Sequence, residues 1–529
     1  MKTPNYVYPW IAGKKGLPFV LFLVLLSGIL QFATFAMSQQ YVISSMGVQP
    51  EDVAFALQMT YVGILFTLPI HFRLIRYFEV RSYLIFAIIL GLVLGIACIY
   101  TTDLLLFFIL RFLQGIVVCM ICGSMLMMLS IYLNPEHRQI VAPSIFYGTI
   151  LSSGVLIGLV FSQVVLDQNW KEIYCYLIVF QVLSLLLIML VFSPKSGVKR
   201  YPLYQIDWAG SVFFLTAGLS LAYTLIYGNK FYWFADPKIR FSSCLFLLMS
   251  LLYLSRSATV KRPLISICAF KYKKFWAGLI LLGLYYGTKD SMNLIFGYTA
   301  GVLQWSPSDN MILGIVNIAG VMTFMFISAK LIVKNKTVIP MVLISGFAIL
   351  LFYQLWMYHI FTPDLSFGDL FFPMFLQGAA SGLIFVPIMI FILTSLPPNT
   401  GMTGLIVAAY VRFISVLNVG AGFYNLQLYY NQFFRTHFLF HITSTDSPVA
   451  ERLILLRQVF INKGRSLGEA EHLAILNLNK TVVIQSQLLS NKAIFLSLSV
   501  VVGVIIVMLI FSFCIVFVHS LTKKQGKHE

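Results

Sequence analysis

The sequence predicts an all-α, polytopic membrane protein with fourteen transmembrane helices arranged as six, two and six. Three observations carry that prediction. Hydrophobic residues make up 59% of the 529 and charged residues only 10%, whereas a soluble domain carries about a quarter charged residues. The apolar residues come in long runs instead of periodic stripes, and a run of about 20 spans the roughly 30 Å of a bilayer's hydrocarbon. Lys and Arg fall predominantly on one side of those runs.

Taking the runs in order gives spans at 17–38, 53–72, 82–101, 104–128, 142–165, 172–193, 208–227, 240–255, 275–299, 310–333, 337–358, 368–395, 403–425 and 493–520. With the N-terminus in the cytoplasm, and with Arg240 and Lys330 at the ends of their spans counted with the adjacent loops, Lys and Arg in the short loops divide 22 inside to 4 outside. Seven more lie in the long segment 426–492, to which the positive-inside rule applies weakly. Both termini are therefore expected to be cytoplasmic, in a plasma membrane or bacterial inner membrane. Arg111, Lys289 and Arg412 fall inside spans, where a charge is costly unless it faces a cavity or a partner. The net charge of +18 reads as topology and not as a nucleic-acid surface, because the basic residues form no continuous face.

An internal repeat supports the helix arrangement. Phe112-Leu113-Gln114-Gly115 recurs as Phe375-Leu376-Gln377-Gly378, and Pro135 recurs as Pro398, both at an offset of 263 residues. The offset equates helix four with helix twelve, so helices one to six match nine to fourteen. The expected domains are a six-helix bundle at 1–200, a two-helix insert at 201–262 and a second six-helix bundle at 263–529. Within the outer loop 426–492, Leu467, Ala470, Leu473, Leu476 and Val483 suggest an amphipathic helix lying at the membrane interface.

Other chemistry is thinly represented. The seven cysteines lie mostly in apolar runs, and the CxxC of Cys119 and Cys122 sits mid-helix, where packing explains it better than metal or redox chemistry. The histidines form no paired metal spacing, and no phosphate-binding Gly-rich loop with a Lys-Ser/Thr is present. No cofactor and no enzymatic reaction are expected.

Several stretches resemble the fourteen-helix drug:proton antiporters of the major facilitator superfamily. Arg111-Phe112-Leu113-Gln114-Gly115 resembles that family's RxxQG motif, and Asp207-Trp208-Ala209-Gly210 its DWxG entry to helix seven. Pro263-Leu264-Ile265 through Phe270 and Phe275, Leu396-Pro397-Pro398, Val411-Arg412-Phe413 and Trp170-Lys171-Glu172-Ile173-Tyr174 resemble further family segments in the same order. Gly154-Val155-Leu156-Ile157-Gly158 is similar to the GPxxG antiporter motif, with Val155 at the proline position. The family's glycine-rich gating loop departs furthest. Here Arg73, Arg76 and Arg81 keep its basic character, but Arg76 stands at the acid and Glu79 at the second glycine. In place of the family's helix-one acid stands no carboxylate, and Gln31 is the polar candidate nearby.

The resemblance implies two parallel bundles around a midplane cavity and a proton-coupled small-molecule transporter working as a monomer in the lipid bilayer. It also implies that Arg111 packs toward that cavity and takes part in proton transfer. From the residues themselves, Asp290 is the one acid well inside a span, about 21 Å from the cytoplasmic end of helix nine. A carboxylate there could load and release a proton, or it could simply pair with Lys289. Tyr286 and Asn293 are expected to share its helical face, while Gln114 and Gln377 are expected to line the cavity. Arg73, Arg76, Arg81, Gly115, Gly154 and Gly158 are the expected gating and conformational residues. Arg111, Lys289 and Arg412 against Asp290 leave a net-positive site, which favours neutral or anionic substrates. Efflux of a small amphipathic or anionic molecule is the leading expectation. An uncoupled or importing facilitator and a non-transporting scaffold or sensor are the alternatives.

Overall fold

The computed structural model describes every residue except 1–5, 12–15, 134–137, 165–170, 195–201, 261–262, 398–399, 444–445 and 526–529. Pro135, Pro398 and Trp170, three of the landmarks above, lie outside the described residues. The fold is all-α. Six helices come first: α1 (Leu17–Met46), α2 (Pro50–Phe78), α3 (Val80–Tyr100), α4 (Leu104–Tyr132), α5 (Arg138–Val164) and α6 (Glu172–Val191). The pair α7 (Trp208–Tyr227) and α8 (Pro237–Thr259) follows. The remainder comprises α9 (Lys273–Lys289), α10 (Met292–Gly301), α11 (Pro307–Lys334), α12 (Ile339–Ile360), α13 (Phe371–Thr394), α14 (Gly401–Phe440), α15 (Ser447–Asn462) and α16 (Leu467–Gln525).

Among the described residues, twelve helices are long and apolar enough to cross a membrane. The other two expected spans are present as helices of a different form. Helix nine is broken: α9 stops at Lys289, Asp290 and Ser291 form a turn, and α10 restarts at Met292. Expected span thirteen is apolar over only Thr403–Leu417, yet α14 runs on to Phe440.

The segment 426–492 is not the loop with one interfacial helix that its polarity suggested. Its first part continues α14, which reaches 40 residues or about 60 Å. Its last part is continuous with the final span in α16, a helix of 59 residues or about 88 Å. Both exceed the roughly 30 Å hydrocarbon, so they project well beyond it, with α15 packed on α16. No proline interrupts α14 or α16. Polar positions there mark the exit from lipid without ending the helix.

The internal repeat is a repeat in three dimensions. A Cβ on Gly63 of α2 would strike the carbonyl oxygen of Phe112 in α4, and one on Gly115 would strike that of Thr60. In the second half, a Cβ on Gly320 of α11 would strike the carbonyl of Phe375 in α13, and one on Gly378 that of Asn317. Phe112 and Phe375 are the two residues that the 263-residue offset equates. Two backbone-to-backbone crossings, possible only where side chains are missing, thus fix α2 on α4 and α11 on α13.

The first and last sets of helices meet along two seams. On one, α5 packs against α11: Gly158 lies under the Met311 sulfur, Gly148 under Met322 and Met325, and Val155 fills the space above Gly314. The valine at the motif's proline position is therefore a packing knob into Gly314, and Gly158 is the hole that receives Met311, with Gly154 half-buried on the same helix. On the other seam, Tyr61 of α2 meets Phe413 of α14 with ring centroids 6.1 Å apart. There Tyr410 also donates to the Leu65 carbonyl at 3.1 Å. Helix α7 packs over this second seam, its Phe214 ring 4.4 Å from that of Tyr410.

Candidate functional site

The break in helix nine is held from outside. A helix end leaves its last carbonyls without partners, and lipid offers none. Gln377 of α13 donates to the Lys289 carbonyl at 3.0 Å. Gln354 of α12 donates to the Thr288 carbonyl at 3.3 Å and to Ser291 Oγ at 3.0 Å. Asn317 of α11 donates in turn to Gln377 Oε1 at 2.5 Å and to the Met374 carbonyl at 2.9 Å. Three neighbouring helices therefore secure the turn that carries Asp290.

Around that turn the charges gather. Lys289 Nζ lies 3.3 Å from Asp290 Oδ1, and both side chains stay partly accessible. Lys289 Nζ stands 5.9 Å from the centroid of the Tyr286 ring, and the Arg412 guanidinium of α14 stands 5.3 Å from it. The ring's negative face is a favourable neighbour for a cation. Arg412 also lies within electrostatic range of Tyr61, Tyr147 and Asp290, and its Nε has no hydrogen-bond partner. The position is about 17 Å along α14 from its start at Gly401. Aromatic rings close the surroundings: Phe385 sits 4.3 Å from Tyr147 and 6.3 Å and 6.5 Å from Tyr285 and Tyr286. The cluster thus offers two cations, one carboxylate and a set of phenols, drawn from α2, α5, α9 and α14.

Of the expected pathway residues, the structure brings together Tyr286, Lys289, Asp290 and Arg412. It separates the others. Arg111 faces the interior of the first six helices and not the central cluster. It is fully buried, its guanidinium 4.1 Å over the Phe35 ring of α1. Gln114, also buried, accepts from Arg111 and donates toward Cys98 Sγ at 3.4 Å. Gln377 is buried behind α9. Neither glutamine lines a cavity, because each amide is consumed in satisfying buried polar groups. Asn293 is exposed on α10 instead of sharing a face with Tyr286, since the turn at Asp290 and Ser291 interrupts the helical register. Tyr61, Tyr147, Phe385 and Phe413 were not legible as site residues, because an aromatic residue in an apolar run is indistinguishable from ordinary core.

The expected gating residues divide as well. Arg81 donates to the Tyr8 hydroxyl at 3.2 Å and to the Met189 carbonyl at 3.1 Å, tying the N-terminal segment to the end of α6. Arg73 is half-buried and Arg76 exposed on the last turns of α2. Glu79, at the position of the family's second glycine, adopts φ 63° and ψ 144°. That region is strained for any residue with a Cβ and open to glycine. The DWxG-like stretch is a helix cap: Asp207 Oδ1 accepts from the Gly210 amide at 3.0 Å and from Arg256 Nε at 2.7 Å, closing the α7–α8 hairpin. A Cβ on Gly210 would collide with that carboxylate.

Comparison with known proteins agrees with this architecture. The Escherichia coli K12 multidrug export protein EmrB is 22% identical over 312 residues, which cover 57% of this chain and 58% of that protein. The Neisseria gonorrhoeae fatty acid resistance protein FarB is 25% identical over 315 residues, 57% of each. The chain therefore matches less than two thirds of the length of these curated relatives. Among solved structures, the E. coli xylose transporter XylE in a partially occluded inward-open conformation superposes with a TM-score of 0.51 at 13% identity, over 77% of this chain and 90% of that one. A peptide transporter, POT, in complex with sulfate, gives 0.56 at 13% identity, over 80% and 90%. At such identities the likeness is one of fold. The profile of the Major Facilitator Superfamily matches residues 20–418, and the chain belongs to that superfamily of multi-pass membrane transporters.

Proposed function

We propose that this transporter exports a small amphipathic anion in exchange for protons, through the cluster of Tyr286, Lys289, Asp290 and Arg412. The observation that carries the proposal is the charge count around the Tyr286 ring: two cations on α9 and α14 against a single carboxylate. One cation neutralises Asp290 while it is ionised, and the other attracts the anionic group of the substrate. Exchange requires the proton on Asp290 and the anion beside Arg412 to occupy the cluster in alternation, with the protonated, anion-free site making the return step. The aromatic surroundings suit an apolar tail. The names of EmrB and FarB, one a multidrug exporter and the other a fatty acid resistance protein, support export and an amphipathic cargo. We further read the chain as six-helix bundles at 1–200 and 263–529 joined by an insert at 201–262. In this reading the broken α9–α10 pair and α14 complete fourteen crossings, and the protein works as a monomer with both termini in the cytoplasm of a bacterial inner membrane.

The test compares a long-chain carboxylate with the neutral alcohol of equal length in proteoliposomes. Arg412→Gln is expected to lower carboxylate transport at least tenfold, about 1.4 kcal/mol of lost attraction, and to leave the alcohol unaffected. Equal losses for both, or preferential transport of a cationic analogue by the unmodified protein, would overturn the anion reading.

A further inference from the structure

Apart from the central cluster, the interior of the first bundle holds a second polar group that the proposed transport mechanism does not use. Gln31 of α1 and Gln181 of α6 are 1% and 0% exposed, and both amide atoms of each lack any hydrogen-bond partner. Their side chains converge over Gly91 of α3. A methyl group built on Gly91 would lie 2.7 Å from Gln31 Nε2, 3.2 Å from Gln181 Nε2 and 3.3 Å from Val117 of α4. Four buried amide atoms without partners are far costlier than an immobilised water, and buried polar groups with no protein partner are ordinarily met by ordered water.

The site continues toward Arg111. Gln31 lies one helical turn from Phe35, the ring beneath the Arg111 guanidinium, and Val117 lies one turn from Gln114. Arg111 is a buried cation that donates to Gln114 and is hydrogen-bonded with the Tyr174 side chain. Cys98 lies within electrostatic range of it, and among the described residues no carboxylate lies within salt-bridge distance of it. A buried guanidinium without a counter-ion requires other polar partners. We propose that Gln31, Gln181 and Arg111 enclose bound water inside the α1–α3–α4–α6 bundle, and that this water solvates the Arg111 charge. Gly91 is the feature that leaves room for the two amides.

Water-edited solid-state NMR on the full-length protein in lipid bilayers, with ¹⁵N-labelled glutamine side chains, tests the site directly. Gln31→Leu and Gln181→Leu each identify one amide by its disappearance, so either variant that folds assigns the pair by difference. We expect both amides to receive magnetisation from water at rates comparable to surface glutamines, despite their depth. We expect Gln31→Leu to weaken the transfer to Gln181 at least threefold. No transfer to either amide would mean that the pair is dry and overturns the proposal. Amide shifts that follow chloride concentration, without water transfer, would replace water with a bound anion and equally overturn it.

Discussion

Replacing Gln377 by leucine removes one side of the clamp on the broken helix while nearly preserving side-chain volume. The substitution takes away the donor to the Lys289 carbonyl at 3.0 Å and the acceptor for Asn317 at 2.5 Å. Asn317 keeps its bond to the Met374 carbonyl, so its loss is about 1 kcal/mol, the usual net value of a hydrogen bond. The Lys289 carbonyl is left without a partner in an apolar setting, which costs about 1–3 kcal/mol. Gln354 still holds Thr288 and Ser291, so the turn survives but its last carbonyl is free to move. We expect Gln377→Leu to lower the unfolding temperature of the purified protein by an amount consistent with about 2–4 kcal/mol. Transport should fall at least tenfold even at temperatures where the protein is folded, because the turn sets Asp290 relative to Arg412. An unfolding temperature equal to that of the unmodified protein would refute the clamp.

Three further outcomes follow from the same geometry. Arg111→Ala removes a fully buried side chain that lies over Phe35 and not in the central cluster, so the variant should show a lowered unfolding temperature but retain transport wherever it is folded; abolished transport by the folded variant would return Arg111 to the transport pathway. Gly115→Ala and Gly378→Ala should each destabilise by about 1–3 kcal/mol of overpacking, because their Cβ atoms meet backbone carbonyls across equivalent crossings. Gly297→Ala, which meets nothing within 4 Å, should be neutral or slightly stabilising in the same unfolding assay. Glu79→Gly should relieve about 1–3 kcal/mol of backbone strain at φ 63°, whereas Glu79→Ala keeps a Cβ and should gain nothing; matching gains would assign the effect to the lost carboxylate.

Hydropathy made the spans legible because lipid demands long apolar runs, and the FLQG tetrapeptide made the repeat legible because two close crossings need the same small residue. The break in helix nine was hidden for a physical reason. Asp290 and Ser291 are no stronger helix breakers than many residues that helices accommodate, and the turn is secured by Gln354 and Gln377, more than sixty residues away in sequence. The length of α14 and α16 was hidden for the opposite reason, since polarity reports where lipid ends and not where a helix ends. Charge alone placed Lys289, Asp290 and Arg412 among the candidates, but it could not separate them from Arg111. Arg111 is fully buried while Lys289 and Arg412 are half-buried, and only the fold places Arg111 over Phe35 inside the first six helices and Arg412 over Tyr286 where α14 meets α9. Likewise the two equivalent glutamines carry one sequence signal and two different partners.

Proton coupling through Asp290 is the central claim, and proton-gradient-driven accumulation in proteoliposomes tests it most directly. A one-for-one exchange across a gradient of about one pH unit supports up to about tenfold accumulation, 1.36 kcal/mol per unit. In Asp290→Asn the side chain stays uncharged, like the protonated form, and Lys289 no longer has its carboxylate partner. The account predicts that this variant still exchanges labelled substrate across the membrane at equilibrium, yet accumulates none when the gradient is imposed. Full gradient-driven accumulation by Asp290→Asn would contradict it, leaving no acid deep in the described spans to carry the proton and making an uncoupled facilitator the better reading.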